Sequence, residues 1–222
     1  MKREIIITSD GSTTIHLPDW NEQYHSKHGA IQEAYHVFIR NGLEALPIAN
    51  ISILEIGFGT GLNCFITFLE AQKKATSINY TGVEGYPIQK EELEKLNYVT
   101  ALSAGSQSAI FDKMHEVLWN EEQEITKEFS LLKKQQFFED IDEENAYNLV
   151  YFDAFGATNQ PELWTEVIFE KMYKAMKKGG VLVTYSAKGS VRRAMQAVGF
   201  VVERLPGPPG KREMLRAVKT II

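Results

Sequence analysis

Apolar and polar positions along this chain follow two periods, two and about 3.6 residues, in alternation. Two β-rich runs in EIIITSDGSTTIHL (4–17) flank Asp10-Gly11 and predict an antiparallel hairpin. QEAYHVFIRNGL (32–43) reads as a helix, with Gly42 near its end. From Ile51 the pattern becomes strand, helix, strand, helix. ISILEIG (51–57) is a short buried strand and GLNCFITFLEAQKK (61–74) an amphipathic helix. INYTGVE (78–84) is a second strand, and PIQKEELEKLNYVTAL (87–102) a helix with Pro87 suited to its first turn. Residues 106–119 read as helical, followed by strands in FSLLKKQQFF (129–138) and YNLVYFDAF (147–155). PELWTEVIFEKMYKAMKK (161–178) predicts a helix closed by Gly179-Gly180, then comes a strand, VLVTYS (181–186), and a helix in GSVRRAMQAVGF (189–200). FVVERLP (200–206) and REMLRAVKT (212–220) form an antiparallel pair across the turn GPPG.

Alternating strands and helices require crossovers, which build a mainly parallel sheet with helices on both faces. The count is seven strands, the last antiparallel. Residues 1–50 are an N-terminal extension of hairpin and helix, and 51–222 the main domain. No internal repeat, low-complexity tract or long linker divides the chain further.

Composition narrows the class. With 222 residues, 44% hydrophobic and 24% charged, the chain has the make-up of a soluble globular protein and apolar material for a sizeable core. No apolar run approaches the roughly 20 residues that span a bilayer, and the first residues are too quickly polar for a signal peptide. The single cysteine, Cys64, excludes an intramolecular disulfide framework and a cysteine-built zinc site. The five histidines show no ligand pattern, and no metal is expected. A cytoplasmic location and a monomer follow as expectations. The net charge of −5 argues against a generally basic, nucleic-acid-coating protein. Its distribution changes the picture: residues 1–170 carry 12 Lys and Arg against 27 Asp and Glu, while 171–222 carry 12 against 2. Such asymmetry marks either a polyanion-binding face or a solvated surface on the last helices.

The chemistry concentrates in ILEIGFGTGLN (53–63). Gly57, Gly59 and Gly61 lie between the first strand of the main domain and its first crossover helix. Glycines there permit a tight turn and close backbone approach to a ligand, and the helix start offers free N–H groups. The spacing is G-x-G-x-G, with Leu62 where the dinucleotide fingerprint needs its third glycine, and no Gly-Lys-Ser/Thr phosphate loop follows. With Glu55 in front, the arrangement resembles motif I of the Rossmann-like, class I S-adenosylmethionine-dependent methyltransferases. Glu84 ends the second strand, where a carboxylate can accept hydrogen bonds from ribose hydroxyls. In that class an acid after the third strand often faces the adenine amino group, which points to Asp140. The resemblance therefore implies S-adenosylmethionine as cofactor, held by Glu55, Gly57, Phe58, Gly59, Gly61, Asn63, Glu84, Asp140 and Asp153.

A second, more specific resemblance runs in order through nearly the whole chain. Its elements are GFGTGLN with Asn63, the Asp153-Ala154-Phe155 loop, the Pro161-Glu162-Leu163-Trp164 helix start, Gly179-Gly180, Val191-Arg192-Arg193 and Lys211-Arg212-Glu213-Met214-Leu215. Near the N-terminus, YHSKHGAIQEAYHVF contributes Tyr24, Ser26, Glu33 and Phe38. Together these are similar to the methyltransferase half of MnmC, a family that modifies the wobble uridine of certain tRNAs. The chain departs from that pattern where Gly156-Ala157 replaces the usual proline after D-x-F-A, and where LPGPPG replaces a more basic segment. The bifunctional members carry a second, flavin-dependent oxidase domain, which is not expected here. The expectation is a stand-alone methyltransferase, with a separate FAD-dependent oxidase as an upstream partner.

The resemblance implies methyl transfer from S-adenosylmethionine to the amine of 5-aminomethyl-2-thiouridine in tRNA. Asp153 is then the catalytic candidate. A primary amine is mostly protonated near neutral pH, and a carboxylate beside it can orient it and help remove a proton. Phe155 and Trp164 could stack on the base, although Trp164 also suits a core position. Tyr24, Ser26 and Glu33 are implied at the pocket opening, and Ser186 and Lys188 follow the fifth strand near the substrate. Lys188, Arg192, Arg193, Lys211, Arg212 and Arg216 are candidates for phosphate contacts. Three other readings compete: a polyamine-type aminopropyltransferase of related fold, a methyltransferase for a small molecule, and a non-catalytic RNA-binding scaffold.

Overall fold

The computed structural model describes residues 2–220. Strands β1 (Glu4–Ile7) and β2 (Thr13–Leu17) form the expected hairpin, with Ile7 opposite Thr13, and β3 (Glu22–Gln23) adds to β2. Helix α1 (Ala30–Ala34) continues as one π-helical stretch, Tyr35–Arg40. The main sheet contains β4 (Asn50–Ile56), β5 (Ser77–Val83), β6 (Glu122–Thr126), β7 (Phe129–Lys134), β8 (Tyr147–Phe152), β9 (Met176–Thr184), β10 (Phe200–Pro206) and β11 (Glu213–Lys219). Its order is β10-β11-β9-β8-β4-β5-β7-β6. The pairs β7–β5, β5–β4, β4–β8 and β8–β9 are parallel, while β11 runs antiparallel between β9 and β10. The eighth strand is β6, an antiparallel edge partner of β7 that the apolar pattern does not announce. Its sequence, EQEIT, buries one residue in five, Ile125, so it carries almost no hydrophobic signal.

Alternation along the strands builds two cores. Ile51 and Ile53 of β4, Leu149 and Tyr151 of β8, and Val181 and Val183 of β9 face one side. Leu54 and Ile56, Val150 and Phe152, and Leu182 face the other. Strand side chains alternate faces with period two, so a strand buried on both sides reads as an unbroken apolar run. On the first side lie α1 with its π-helical continuation, α2 (Leu62–Lys74) and α5 (Ser108–Glu116). On the second lie α6 (Glu166–Ala175) and α7 (Gly189–Ala197). The N-terminal segment thus shares the first core through Ala30, Ala34, Val37 and Phe38.

The helices expected over 87–102 and 161–178 depart most from the sequence reading. Residues 87–102 form two single turns, α3 (Lys90–Leu93) and α4 (Tyr98–Ala101). Pro87 precedes both, and α3 starts where Glu92 Oε2 accepts from the Gln89 backbone N–H at 2.7 Å. The break at Asn97 has a tertiary cause. Its Oδ1 accepts from Thr13 N (2.8 Å), its Nδ2 donates to Gly11 O (2.9 Å), and its own N–H goes to Thr13 Oγ1 (3.0 Å). The hairpin is thereby tied to this segment, and Asn97 serves it rather than a continuous helix. Helix α6 ends at Ala175, three residues before the expected Lys178, because Met176 already pairs with Tyr147 in the sheet. The chain then bulges before Val181 resumes the ladder opposite Leu149, with Gly179 at φ 74°. Among the described residues, no helix is long and apolar enough to cross a membrane.

Candidate active site

The carboxyl ends of β4, β5 and β8 converge. After β4 the chain turns back: the N–H groups of Gly57 and Phe58 both reach Val83 O at 3.0 Å, and Asp153 N–H reaches Ile56 O at 2.9 Å. Gly57, Gly59 and Gly61 have φ of 87°, 50° and 72°, values that L side chains disfavour. At Gly57 a Cβ would stand 2.8 Å from Asp153 O, so only glycine lets these two strand ends meet. Gly82 of β5 leaves room for the Phe58 ring, which a Cβ would meet at 2.3 Å.

Three acids sit at these strand ends in different surroundings. Glu84 accepts the Gly59 N–H at 3.0 Å and the Tyr86 N–H at 2.8 Å, and lines a cavity of about 850 Å³. Glu55 is fully buried beneath the turn, with its oxygens held by Tyr80 Oη at 2.8 Å and Asn63 Nδ2 at 2.9 Å. Burial pushes its pKa well up, against those two hydrogen bonds. The same Asn63 Nδ2 donates to Asp153 Oδ2 at 2.8 Å, so one amide clamps both carboxyls. Asp153 is pushed up to about 7, first by burial and then by the negative charge of Glu33; Asn63 and Lys211 pull the other way.

Asp153 lies where two cavities meet. The larger runs along the glycine turn past Glu84, Tyr86 and Phe137. The smaller, about 240 Å³, is lined by Glu22, Ser26, Glu33, Tyr185 and Lys211. Both share Tyr24, His25, Asp153 and Phe155. The N-terminal segment forms one wall of each. Tyr24 and Trp20 meet Phe155 edge to face at 5.1 and 5.9 Å, and Arg3 crosses the larger cavity to Glu92 Oε2 (2.9 Å) and Tyr86 O (3.0 Å).

Of the cofactor-binding candidates, Gly57, Phe58, Gly59, Asn63, Glu84 and Asp153 line the larger cavity. Three do not. Glu55 supports Asn63 from below, and Gly61 packs against the His115 ring. Asp140 is exposed, and Phe138 and Glu139 of the same 3₁₀ turn hold the wall instead. In a run of five acids, spacing alone could not tell which one the turn aims inward. Of the substrate candidates, Tyr24, Ser26, Glu33, Phe155 and Lys211 line one or both cavities. Trp164 is core: it is buried against Phe152 and Phe169, and its indole N–H is spent on Phe155 O at 2.8 Å. Ser186 is buried outside both walls. Among the basic candidates Lys188, Arg193 and Arg212 are exposed and Arg192 half-exposed. Arg216 is paired with Glu203, and Lys211 with Glu33. Arg3, Trp20, Tyr86, Phe137 and Tyr185 line these cavities too. None carries a local sequence signal, since each is brought in by packing between distant segments.

A mainly parallel sheet of this order, with a glycine turn after its first parallel strand and acids at the next strand ends, defines the class I methyltransferase fold. Sequence comparison agrees: residues 109–220, half the chain, match the family described as S-adenosyl-L-methionine-dependent methyltransferase, and the chain belongs to it. Its relatives include the tRNA 5-methylaminomethyl-2-thiouridine biosynthesis bifunctional proteins MnmC. That of Cupriavidus metallidurans is 27% identical over 95% of this chain, and that of Aromatoleum aromaticum 30% identical over 89%. The chain spans 33% and 32% of those two proteins' lengths. Among solved structures, MNMC2 from Aquifex aeolicus superimposes with a TM-score of 0.76 at 26% identity, over 97% of this chain and 70% of that one.

Proposed function

We propose that this protein transfers a methyl group from S-adenosylmethionine to the primary amine of 5-aminomethyl-2-thiouridine at the tRNA wobble position. The observation that carries the reading is Asp153, set between two cavities with its carboxyl pushed up to about 7. The larger cavity has a size common for small-molecule and cofactor sites, and it fits S-adenosylmethionine chemically. Glu84 is fixed by two backbone N–H groups with room beside it for ribose hydroxyls. Tyr86 and Phe137, edge to face at 5.8 Å, offer aromatic surface for a base. Asn63 Oδ1 is buried without a hydrogen-bond partner beside the cavity it lines, an acceptor free for a ligand's ammonium group. Gly57, Phe58, Gly59, Asn63, Glu84 and Asp153 would hold the cofactor, which when bound supplies an electrophilic methyl group on sulfur.

The smaller cavity receives the aminomethyl group. The acceptor arrives as an ammonium ion and can attack only after losing a proton. Asp153 accepts that proton, and an acid near 7 does so without a large energetic penalty at neutral pH. The nitrogen–carbon bond then forms as the carbon–sulfur bond breaks. Asn63, anchored on Glu55, fixes the Asp153 carboxyl for this step. The basic C-terminal quarter suits a tRNA partner, with Lys188, Arg193 and Arg212 exposed on the surface where phosphates can reach them. We further propose that residues 1–50 act as a cover on the domain formed by 51–222, and that the substrate comes from an upstream FAD-dependent oxidase acting in the cytoplasm. The MnmC relatives support the choice of uridine.

The test is incubation of the purified protein with methyl-labelled S-adenosylmethionine and tRNA bearing 5-aminomethyl-2-thiouridine, followed by digestion to nucleosides. Label in 5-methylaminomethyl-2-thiouridine is the expected result. Cofactor binding without that label would refute the acceptor assignment.

A further inference from the structure

Lys211 occupies an unexpected place for a tRNA-phosphate contact. It sits on the turn between β10 and β11, yet its side chain turns inward and forms part of the smaller cavity's wall. Its Nζ stands 2.6 Å from Glu33 Oε2 and 3.7 Å from the centre of the Tyr185 ring. Both partners are held independently of it. Glu33, 6% exposed, accepts the Ser26 N–H on its other oxygen at 3.1 Å, and Tyr185 Oη donates to Ala154 O at 2.8 Å. A buried carboxylate beside an aromatic face is a receptor for an alkylammonium ion. The group filling it is the primary ammonium of Lys211, the chemical type of the acceptor proposed above. Glu22 adds a further carboxylate to the same wall, where its Oε2 accepts from Asn159 Nδ2 at 2.6 Å. With Lys211 withdrawn, the one lysine or arginine left among the described residues of this wall is Lys27, exposed at the rim.

We propose that the Glu33–Tyr185 corner is an alkylammonium subsite, filled by Lys211 in the free protein and by the acceptor's ammonium group in the productive complex. This deepens the function proposed above, since it identifies where the acceptor's charge is recognised. Lys211 is carried on a short turn, GPPGK, which is tethered at its base by Gly207 N–H to Arg212 O at 3.1 Å and by Lys211 N–H to Pro208 O at 2.9 Å. The backbone can keep these bonds while the four-carbon side chain swings out to solvent, where it becomes available to a phosphate. Placed next to Asp153, the incoming ammonium is then positioned for proton removal. A neutral substituent, such as hydroxymethyl, gains nothing from the corner and does not displace the lysine. The resident lysine also keeps the buried Glu33 charge paired until substrate arrives.

The test separates the subsite from the identity of the acceptor by using ethylammonium as the probe. Its binding is followed by NMR titration of the intact protein and of Lys211→Met. A site already filled by a tethered group shows an apparent affinity reduced by the fraction of molecules in which it is empty. Ethylammonium should therefore bind Lys211→Met about tenfold more tightly than the unmodified protein, by that same argument. Ethanol should bind neither, and Glu33→Gln added to Lys211→Met should abolish the gain. Equal binding of ethylammonium to the unmodified protein and to Lys211→Met, or a gain that survives Glu33→Gln, would overturn the proposal. Unchanged amide spectra away from the turn establish that each variant folds. If ethylammonium behaves as expected while tRNA bearing 5-aminomethyl-2-thiouridine is not methylated, the subsite stands and the uridine assignment falls.

Discussion

Among single residues, Asp153 has the largest bearing on both activity and stability. A carboxyl raised to about 7 is protonated over much of the acid range, so kcat/KM should fall about tenfold per pH unit below that value. Asp153→Asn should remove methylation almost completely while cofactor affinity, measured by calorimetry, stays within about threefold of the parent. Retained turnover in that variant would take Asp153 out of the chemistry. Glu33→Gln should move the acid limb to lower pH, because the negative charge of Glu33 raises Asp153 and the freed Lys211 lowers it. Stability carries the opposite sign. The native protein holds the Asp153 proton at pH values where the unfolded chain has lost it, so this residue costs stability as pH rises from about 4 to about 7. Asp153→Asn should therefore gain about 1–3 kcal/mol at pH 8, and that gain should vanish near pH 4 when thermal unfolding is followed across pH. Asp153 as a strand-end acid was legible in the sequence; its enclosure was not, because Glu33 and Lys211 come from segments 120 and 58 residues away.

At the scale of elements, two contacts shape the site. The glycine turn needs Gly82 as much as its own glycines, since the Phe58 ring lies where a Gly82 Cβ would be. Gly82→Ala should destabilise the fold by about 1–3 kcal/mol through overpacking and weaken cofactor binding, whereas Gly105→Ala, with open space around it, should do neither. The second contact joins β1–β2 to α4 through Asn97. Asn97→Ala removes the side-chain bonds to Thr13 N–H and Gly11 O while keeping its backbone N–H bond to Thr13 Oγ1, and amide exchange over residues 4–17 should quicken by about tenfold as the hairpin loosens. Protection as strong as in the parent would mean that apolar packing alone holds the hairpin. The hairpin itself was readable from Asp10-Gly11 and its flanking runs. Its docking was not, because the residues that receive it sit in what reads locally as one amphipathic helix.

Across the whole molecule, charge is divided between two ends of the sequence, and the fold decides which of those charges can meet a partner. Lys211 and Arg216 are engaged by Glu33 and Glu203, while Lys188, Arg193 and Arg212 stand in solvent. Replacing those three exposed residues with alanine should weaken tRNA binding and flatten the plot of log affinity against log salt by about 0.7–0.9 per residue. An unchanged slope would place the docking surface elsewhere.

What the sequence determined by itself was the alternation of strands and helices, the seven strands with apolar runs, the glycine turn and the acids at the strand ends. These are local properties, written in the period of apolar positions and in residues with special backbone freedom. The tertiary structure alone decided that β6 closes an edge, that Glu139 rather than Asp140 borders the larger cavity, and that Trp164 belongs to the core. It also brought Tyr24, Glu33, Tyr185 and Lys211 around Asp153. Each of those outcomes depends on which distant segments share a wall. That is settled by packing and charge pairing across the whole molecule, and no window of sequence contains it.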